Sequence, residues 1–407
     1  PSAPPPVAAL GSISVELPLR RLSRAQYLTS LQDAVRQTLP SAGEPIALRI
    51  PEIAAAFPAD QMINVTRERH GGFTRADQVM QQRHIDAAYT IGVALGTELA
   101  GSGRIGALLG SCATDGLASN DDACLRGFIQ RFGRIALRAP LTSTQVDLYR
   151  RAAGSTPVAP AAVAQVIGLM LSSARFLYVV EQGAPAASEP RTPLTAHELA
   201  ARMALHFWNG LPDADLNSAA DSGQLLVDSV FAAQVARLAT HPRAEAGVRE
   251  FFAQWFRLHE LAELDARVGE PVFDAFRAGY LPAADTRENA IAEIGDLVAH
   301  LWRTGGTLQE VLTDRRSFAR SADIASIYGV PPWNGTAAPV EFPQPERSGL
   351  LTRVAFTASG SAITRPIMKG YRIRSALLCQ VLPPPPADAM NAVVAISPAQ
   401  TTREVVE

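Results

Sequence analysis

A chain of 407 residues is too long for one ordinary hydrophobic core, so roughly two to four packed units are expected. Apolar residues make up 47% and the formal net charge is -2. That composition excludes global disorder and gives no broad basic face for non-specific nucleic-acid binding. Lys369 is the only lysine among 37 basic residues, a bias that arginine's fork geometry and genome composition explain equally well.

The chain opens Pro-Ser-Ala-Pro-Pro-Pro with no initiator methionine, a polyproline-like leader of the kind left when an export signal has been removed. A short strand is expected at residues 13–17. Leu22-Ser23-Arg24-Ala25-Gln26 then signals a helix start. Ser23 at the N-cap can accept from the N3 amide while Gln26 reaches back, and Leu22 can staple against Tyr27. The same device recurs at Leu141-Thr142-Ser143-Thr144-Gln145, with Val146 as staple partner, and at Leu194-Thr195-Ala196-His197-Glu198, with Leu199. Periodicity predicts further helices at residues 77–100, 122–135, 161–180, 230–240, 244–258 and 287–303.

After Thr195, Leu199, Met203 and Phe207 recur at every fourth position and lay an apolar stripe along one helix face. Val248, Phe252, Trp255, Phe256 and His259 suit another amphipathic helix, as do Ile291, Ile294, Leu297, Val298 and Leu301. A second strand is expected at 351–356. The fold class is therefore mainly α, a multi-module helical protein with few short strands. Turn-rich segments at 109–121, 182–193 and 331–346 suggest boundaries. They divide the chain into an N-terminal helical module (1–110), a second helical module with a cysteine-bracketed loop (111–189), a central helical module (190–335) and a last module (336–407). The last contains Pro383 to Pro386, a rigid extended spacer.

The longest apolar run, residues 160–180, contains Gln165, Ser172, Ser173 and Arg175. A central arginine costs roughly 2.5–3.5 kcal/mol on membrane insertion, so this run reads as a buried core helix and no membrane span is expected. The cysteines are Cys112, Cys124 and Cys379. The first two bracket a polar loop that no helix or strand pattern claims, whereas buried free thiols usually sit in apolar sequence. A disulfide between them would contribute about 3 kcal/mol and implies an oxidising compartment; two free thiols in a cytosolic protein is the alternative. Cys379 is then left over, unpaired or bonded to another chain.

Candidate chemical constellations are weak. Gly101, Gly103 and Gly106 match a dinucleotide fingerprint with Asp121 at a suitable distance, but a strand must precede that motif. Here the preceding composition is helical, so loop punctuation is the expectation. The seven histidines form no His-x-x-x-His or His-x-His pair, so no metal site is expected. His206 reads as a core imidazole; it and Met368 are the residues that axial ligation would use. Asp213 and Asp215 form a carboxylate pair, yet Asp213 after Pro212 suits a helix cap better. Asp314-Arg315-Arg316 reads as a solvated turn, and Ser359-Gly360-Ser361 lacks a nucleophile elbow. Trp208, Trp255 and Trp302 are expected in the core. No catalytic residue is assigned.

Several stretches resemble, in family order, the modules that accompany planctomycete-type cytochrome c domains, most of them domains of unknown function. Arg21-Leu22, Tyr27 and Asp33 are similar to the first module, and residues 128–142 to the second, where Ala139 stands in place of a second arginine. Residues 193–328 resemble the third through Glu198, Arg202, Trp208, Pro212-Asp213, Arg237, Pro242-Arg243, Trp255 and Tyr328. Residues 347–386 resemble the start of a cytochrome-like module through Gly349-Leu350-Leu351-Thr352, Thr364-Arg365, Lys369-Gly370 and the proline spacer.

The resemblance implies that a Cys-x-x-Cys-His segment follows, and the sequence stops at Glu407 before one, so truncation ahead of the haem-attachment segment is expected. It implies an exported redox or electron-transfer protein, in the periplasm, at the cell surface or secreted. Its haem c would sit outside this chain, on a C-terminal segment or a companion chain. The alternatives are a structural or interaction component of a cell-surface or envelope assembly, and an extracytoplasmic hydrolase or oxidase acting on a polymer. The resemblance carries no established reaction.

Overall fold

A computed structural model describes residues 19–63, 72–75, 79–101, 103–183, 193–277, 279–362 and 364–383. The strand expected at 13–17 and the prolines after Pro383 lie outside them. Nineteen α-helices and one two-stranded sheet occur among the described residues, so the protein is mainly α. None of the described helices is long and apolar enough to cross a membrane. The chain divides into two compact units, Pro1–Gln61 with Arg75–Ala244, and Met62–Thr74 with Glu245–Glu407.

In the first unit all three signalled helix starts are present. Ser23, Thr142 and Thr195 accept from the backbone N–H of Gln26, Gln145 and Glu198, whose side chains return the bond. These caps satisfy amides that a helix cannot pair internally. They start helices Arg24–Thr38, Ser143–Ala152 and Ala196–Trp208. The core is built from Tyr27, Leu31, Phe128, Phe132, Ile167 and Phe176 with their aliphatic neighbours. Helices Gln82–Ala100 and Pro160–Leu171 approach to backbone contact. A Cβ at Gly96 would lie 2.7 Å from the Ala164 Cα, and one at Gly168 would lie 2.5 Å from a Val93 methyl. Only glycine fits that spacing without moving a helix.

Several expectations are corrected here. The run 160–180 is not one helix: it ends at Leu171, restarts as Ala174–Leu177 and finishes as strand Tyr178–Val179. The cause is Ser173, whose hydroxyl caps the second helix by accepting from the Phe176 N–H and so offers the backbone an alternative to continuing. Tyr178–Val179 pairs antiparallel with Arg20–Arg21, a sheet the sequence did not signal. His206 is exposed rather than in the core. At 100° per residue it falls outside the arc occupied by the buried residues Ala200, Met203, Ala204 and Trp208. Gly101 closes helix Gln82–Ala100, so a helix, not a strand, precedes the glycine motif, whose Gly106 lies in the next helix, Ile105–Leu109.

The second unit is organised on helix Thr286–Thr304, whose Ala290, Ile294, Leu297 and Leu301 face the core. Phe318, Tyr328, Phe342, Leu350, Val354 and Phe356 close over them. Trp302, one position beyond Leu301, is turned about 100° off that face and is 45% exposed, contrary to the core position expected. The strand expected at 351–356 is instead a 3-10 turn, Leu350–Thr352, followed by a helical turn, Val354–Thr357. Residues 353 to 356 are consecutively buried, which a strand with one wet face cannot achieve. Gly349 makes this entry possible: it has φ +54, and a Cβ there would lie 1.9 Å from the Leu312 carbonyl oxygen. Ile373 and Leu377 pack on the same core, while Leu378 is exposed.

Candidate functional site

The charged and aromatic side chains that could carry chemistry fall into three groups in space. The first surrounds Trp208 in the first unit. Its indole N–H donates to the Leu238 carbonyl at 3.1 Å, and the guanidinium groups of Arg243 and Arg237 lie 4.6 and 5.6 Å from its ring centroid. Arg237 donates to both carboxylate oxygens of Asp213 at 2.7 and 3.0 Å. Asp213 also caps helix Ala214–Asp221 by accepting from the Leu216 N–H, so it is a cap and an ion-pair partner, and Asp215 is exposed. Arg243 donates to Asp33 at 2.6 Å, and Asp33 accepts the Leu211 N–H at 2.9 Å. Burial pushes the Asp33 carboxyl up, with Arg243 opposing. This is a cation–π and hydrogen-bond clamp that fixes a chain reversal.

The same unit holds the disulfide. Cys112 and Cys124 are bonded, with Cα atoms 5.9 Å apart. Arg138, at φ +61, donates to the carbonyls of Arg175, Phe176 and Tyr178 at 2.9, 2.9 and 3.3 Å. Burial pushes its pKa down to about 10. Its two terminal nitrogens tie down the turn at Ser173, and its Nε is buried without a hydrogen-bond partner.

The second group is a set of buried charges in the second unit. Glu293 and Arg353 form an ion pair whose side chains are both fully buried. Glu293 also accepts from the Phe318 N–H and the Tyr328 hydroxyl, each at 3.3 Å, while Tyr328 accepts the Val354 N–H at 2.9 Å. Arg353 donates its other terminal nitrogen to the Arg316 carbonyl at 2.8 Å and lies 5.2 Å from the Phe342 ring centroid. Burial pushes the Glu293 carboxyl up, and Arg353 opposes it; burial likewise raises the Tyr328 hydroxyl.

Asp314 is buried, not solvated as expected. It holds Arg316 in an ion pair, accepts the Arg316 N–H at 2.7 Å, and its carbonyl takes the Gly349 N–H at 2.8 Å. Arg315 donates to the carbonyls of Phe342 and Gln344 at 3.1 and 3.3 Å. Asp296 is shared by Arg249 at 2.6 Å and Arg320 at 2.5 Å.

The third group lines a cavity of about 290 Å³ in the second unit. Arg257, Arg365, Lys369 and Arg372 contribute cationic groups, Glu260 a carboxylate, and Phe356, Leu261 and Met368 apolar wall. Ser359 and Tyr371 complete the rim, and Ser361 is buried. His259 follows Leu258 in the adjoining 3-10 turn, where burial lowers its pKa. Cys379 is free and exposed. Among the described residues, no group of three or more His, Cys, Asp or Glu could hold a metal ion.

Three family models match the chain. PSD5, a protein of unknown function (DUF1595), covers residues 124–181. PSD4, a protein of unknown function (DUF1592), covers 194–330, and PSCyt3, a protein of unknown function (DUF1588), covers 347–407. The three matched stretches are domains of the planctomycete-cytochrome-associated kind. No curated protein and no solved structure matches it.

With these bounds, the buried pair gains meaning. Glu293 and Tyr328 lie in the PSD4 stretch and Arg353 in the PSCyt3 stretch, so the PSCyt3 stretch and the part of the PSD4 stretch from Glu245 onward share one core and one buried ion pair. The given sequence carries no Cys-x-x-Cys-His, His206 is an exposed helix residue, and Met368 lines the cavity. Sequence reasoning missed Glu293, Arg353 and Arg257. The signal available for the last was a lone arginine between an aromatic helix and Leu258, which was read as part of that helix.

Proposed function

We propose that this chain is the body of an exported, haem-associated redox or electron-transfer protein whose haem is carried on a segment or companion chain outside this sequence. The observation that supports this reading is the anchoring of the PSCyt3 stretch. Its Leu350, Val354 and Phe356 are core residues of the second unit, and its Arg353 is fully buried against Glu293. A cytochrome-type module fixed this firmly would keep its redox centre at a set position relative to the second unit. An exported location is supported by the disulfide between Cys112 and Cys124, a bond that persists in oxidising compartments.

The experiment is an electronic absorption spectrum of the full-length gene product, purified aerobically from its native host after export. A Soret band, with reduced α and β bands after dithionite, is the expected result. A preparation of the intact protein with no Soret absorption would overturn the reading.

A further inference from the structure

We propose that the cavity of the second unit binds a small organic anion, a carboxylate or phosphate head carried on a short apolar body. The charge of the cavity wall is unbalanced. Four cationic side chains, Arg257, Arg365, Lys369 and Arg372, share it with a single carboxylate, Glu260. That carboxylate is already committed: one of its oxygens accepts two hydrogen bonds from Arg257, at 2.8 and 2.6 Å, and the remaining Arg257 nitrogen donates to the Ser375 hydroxyl at 3.2 Å. Arg257 and Glu260 therefore neutralise each other and leave the other three cations without a counter-charge.

Those three are set up differently. Arg372 is held rigid by carbonyls, donating to Ala355, Phe256 and Arg257 at 3.3 Å each. Its Nε is buried with no partner, and its guanidinium stands 5.0 Å from the Phe356 ring centroid. Arg365 and Lys369 are four residues apart, the N-cap and the fourth residue of helix Pro366–Arg372, so they project on one side of it. Neither side chain has a hydrogen-bond or ion-pair partner among the described residues. A fixed guanidinium beside two unengaged cations, next to an apolar wall of Phe356, Leu261 and Met368, is an anion receptor with a place for a hydrophobic body. The volume of about 290 Å³ limits the occupant to a small molecule. Nothing in this inference depends on haem.

Lys369 being the only lysine gives the test a single-site reporter. The whole chain is treated with an amine-acetylating reagent at low ionic strength, and acetylation of Lys369 is followed by peptide mass spectrometry. Phenyl phosphate, benzoate and inorganic phosphate are added in separate series, with isothermal titration of the same samples. The expected result is saturable binding of phenyl phosphate or benzoate at one site, with protection of Lys369, weakened by added salt. Whichever of the two binds more tightly identifies the head group.

The Arg365→Gln/Lys369→Gln double variant should bind about tenfold or more weakly, and Lys369→Arg should retain binding. Both side chains lie outside the core, and circular dichroism confirms that the variants fold. Failure of all three probes to saturate, or unchanged binding in the folded double variant, would overturn the proposal.

Discussion

In the first unit, the buried charged groups fall into small separate sets: Asp33 is held by Arg243 and the Leu211 amide, Arg21 pairs with Asp60, and Arg138 donates to three carbonyls. Between them the core is aliphatic and aromatic, drawn tight by the glycines of two facing helices. The second unit instead gathers several of its buried charges, with Glu293, Arg353 and Tyr328 in one hydrogen-bonded set and Asp314 with Arg316 beside it. An apolar core loses stability in proportion to the atoms removed from it. A buried ion-pair network fails by a different rule, because removing one member strands the others without water or partner. The two units should therefore respond differently to insults of similar size.

The largest effect is expected from Arg353→Met. It keeps most of the apolar volume but leaves the Glu293 carboxyl unpaired, which should cost about 3–5 kcal/mol and lower the urea midpoint of the second unit. Monitoring Trp255 and Trp333 separates this unit from Trp208 in the first. A loss below about 1 kcal/mol would mean that the charges are better solvated than their burial indicates. The next effect concerns the other side of the comparison. Replacing Cys112 and Cys124 together by Ser removes a cross-link over a sequence separation of 12, expected to cost about 3 kcal/mol. It should depress the first unit's transition and leave the second unit's midpoint where it was. Movement of both midpoints together would show that the chain unfolds as a single block.

How much of this was legible in the sequence follows from range. The caps at Ser23, Thr142 and Thr195 were legible because every partner lies within three residues. The cap at Asp213 was legible for the same reason. The stripe on helix Thr286–Thr304 was visible, yet the same reasoning placed Trp302 in the core, because composition was allowed to override the helical arc. Asp314 was misread because Asp-Arg-Arg has the composition of a wet turn. Its burial is set by Gly349, 35 positions further on, whose amide binds the Asp314 carbonyl. Glu293 and Arg353 are 60 residues apart, and no local pattern links them.

The cavity had one sequence clue, the lone lysine, but its meaning depends on Arg257 and Arg372 arriving from separate segments. The family motifs were legible as a set. Around Trp208, the structure shows what Asp213, Arg237 and Arg243 hold together.

The central claim is that the PSCyt3 stretch and the part of the PSD4 stretch from Glu245 onward are one cooperative body pinned by a buried ion pair. A double-mutant cycle on that pair tests it most directly, with Glu293→Leu, Arg353→Met and the double variant measured by urea denaturation of the second unit. The account predicts that the double variant recovers most of the stability lost by Arg353→Met alone, because the stranded charge is gone with its partner. A double variant whose loss equals the sum of the two single losses would contradict it.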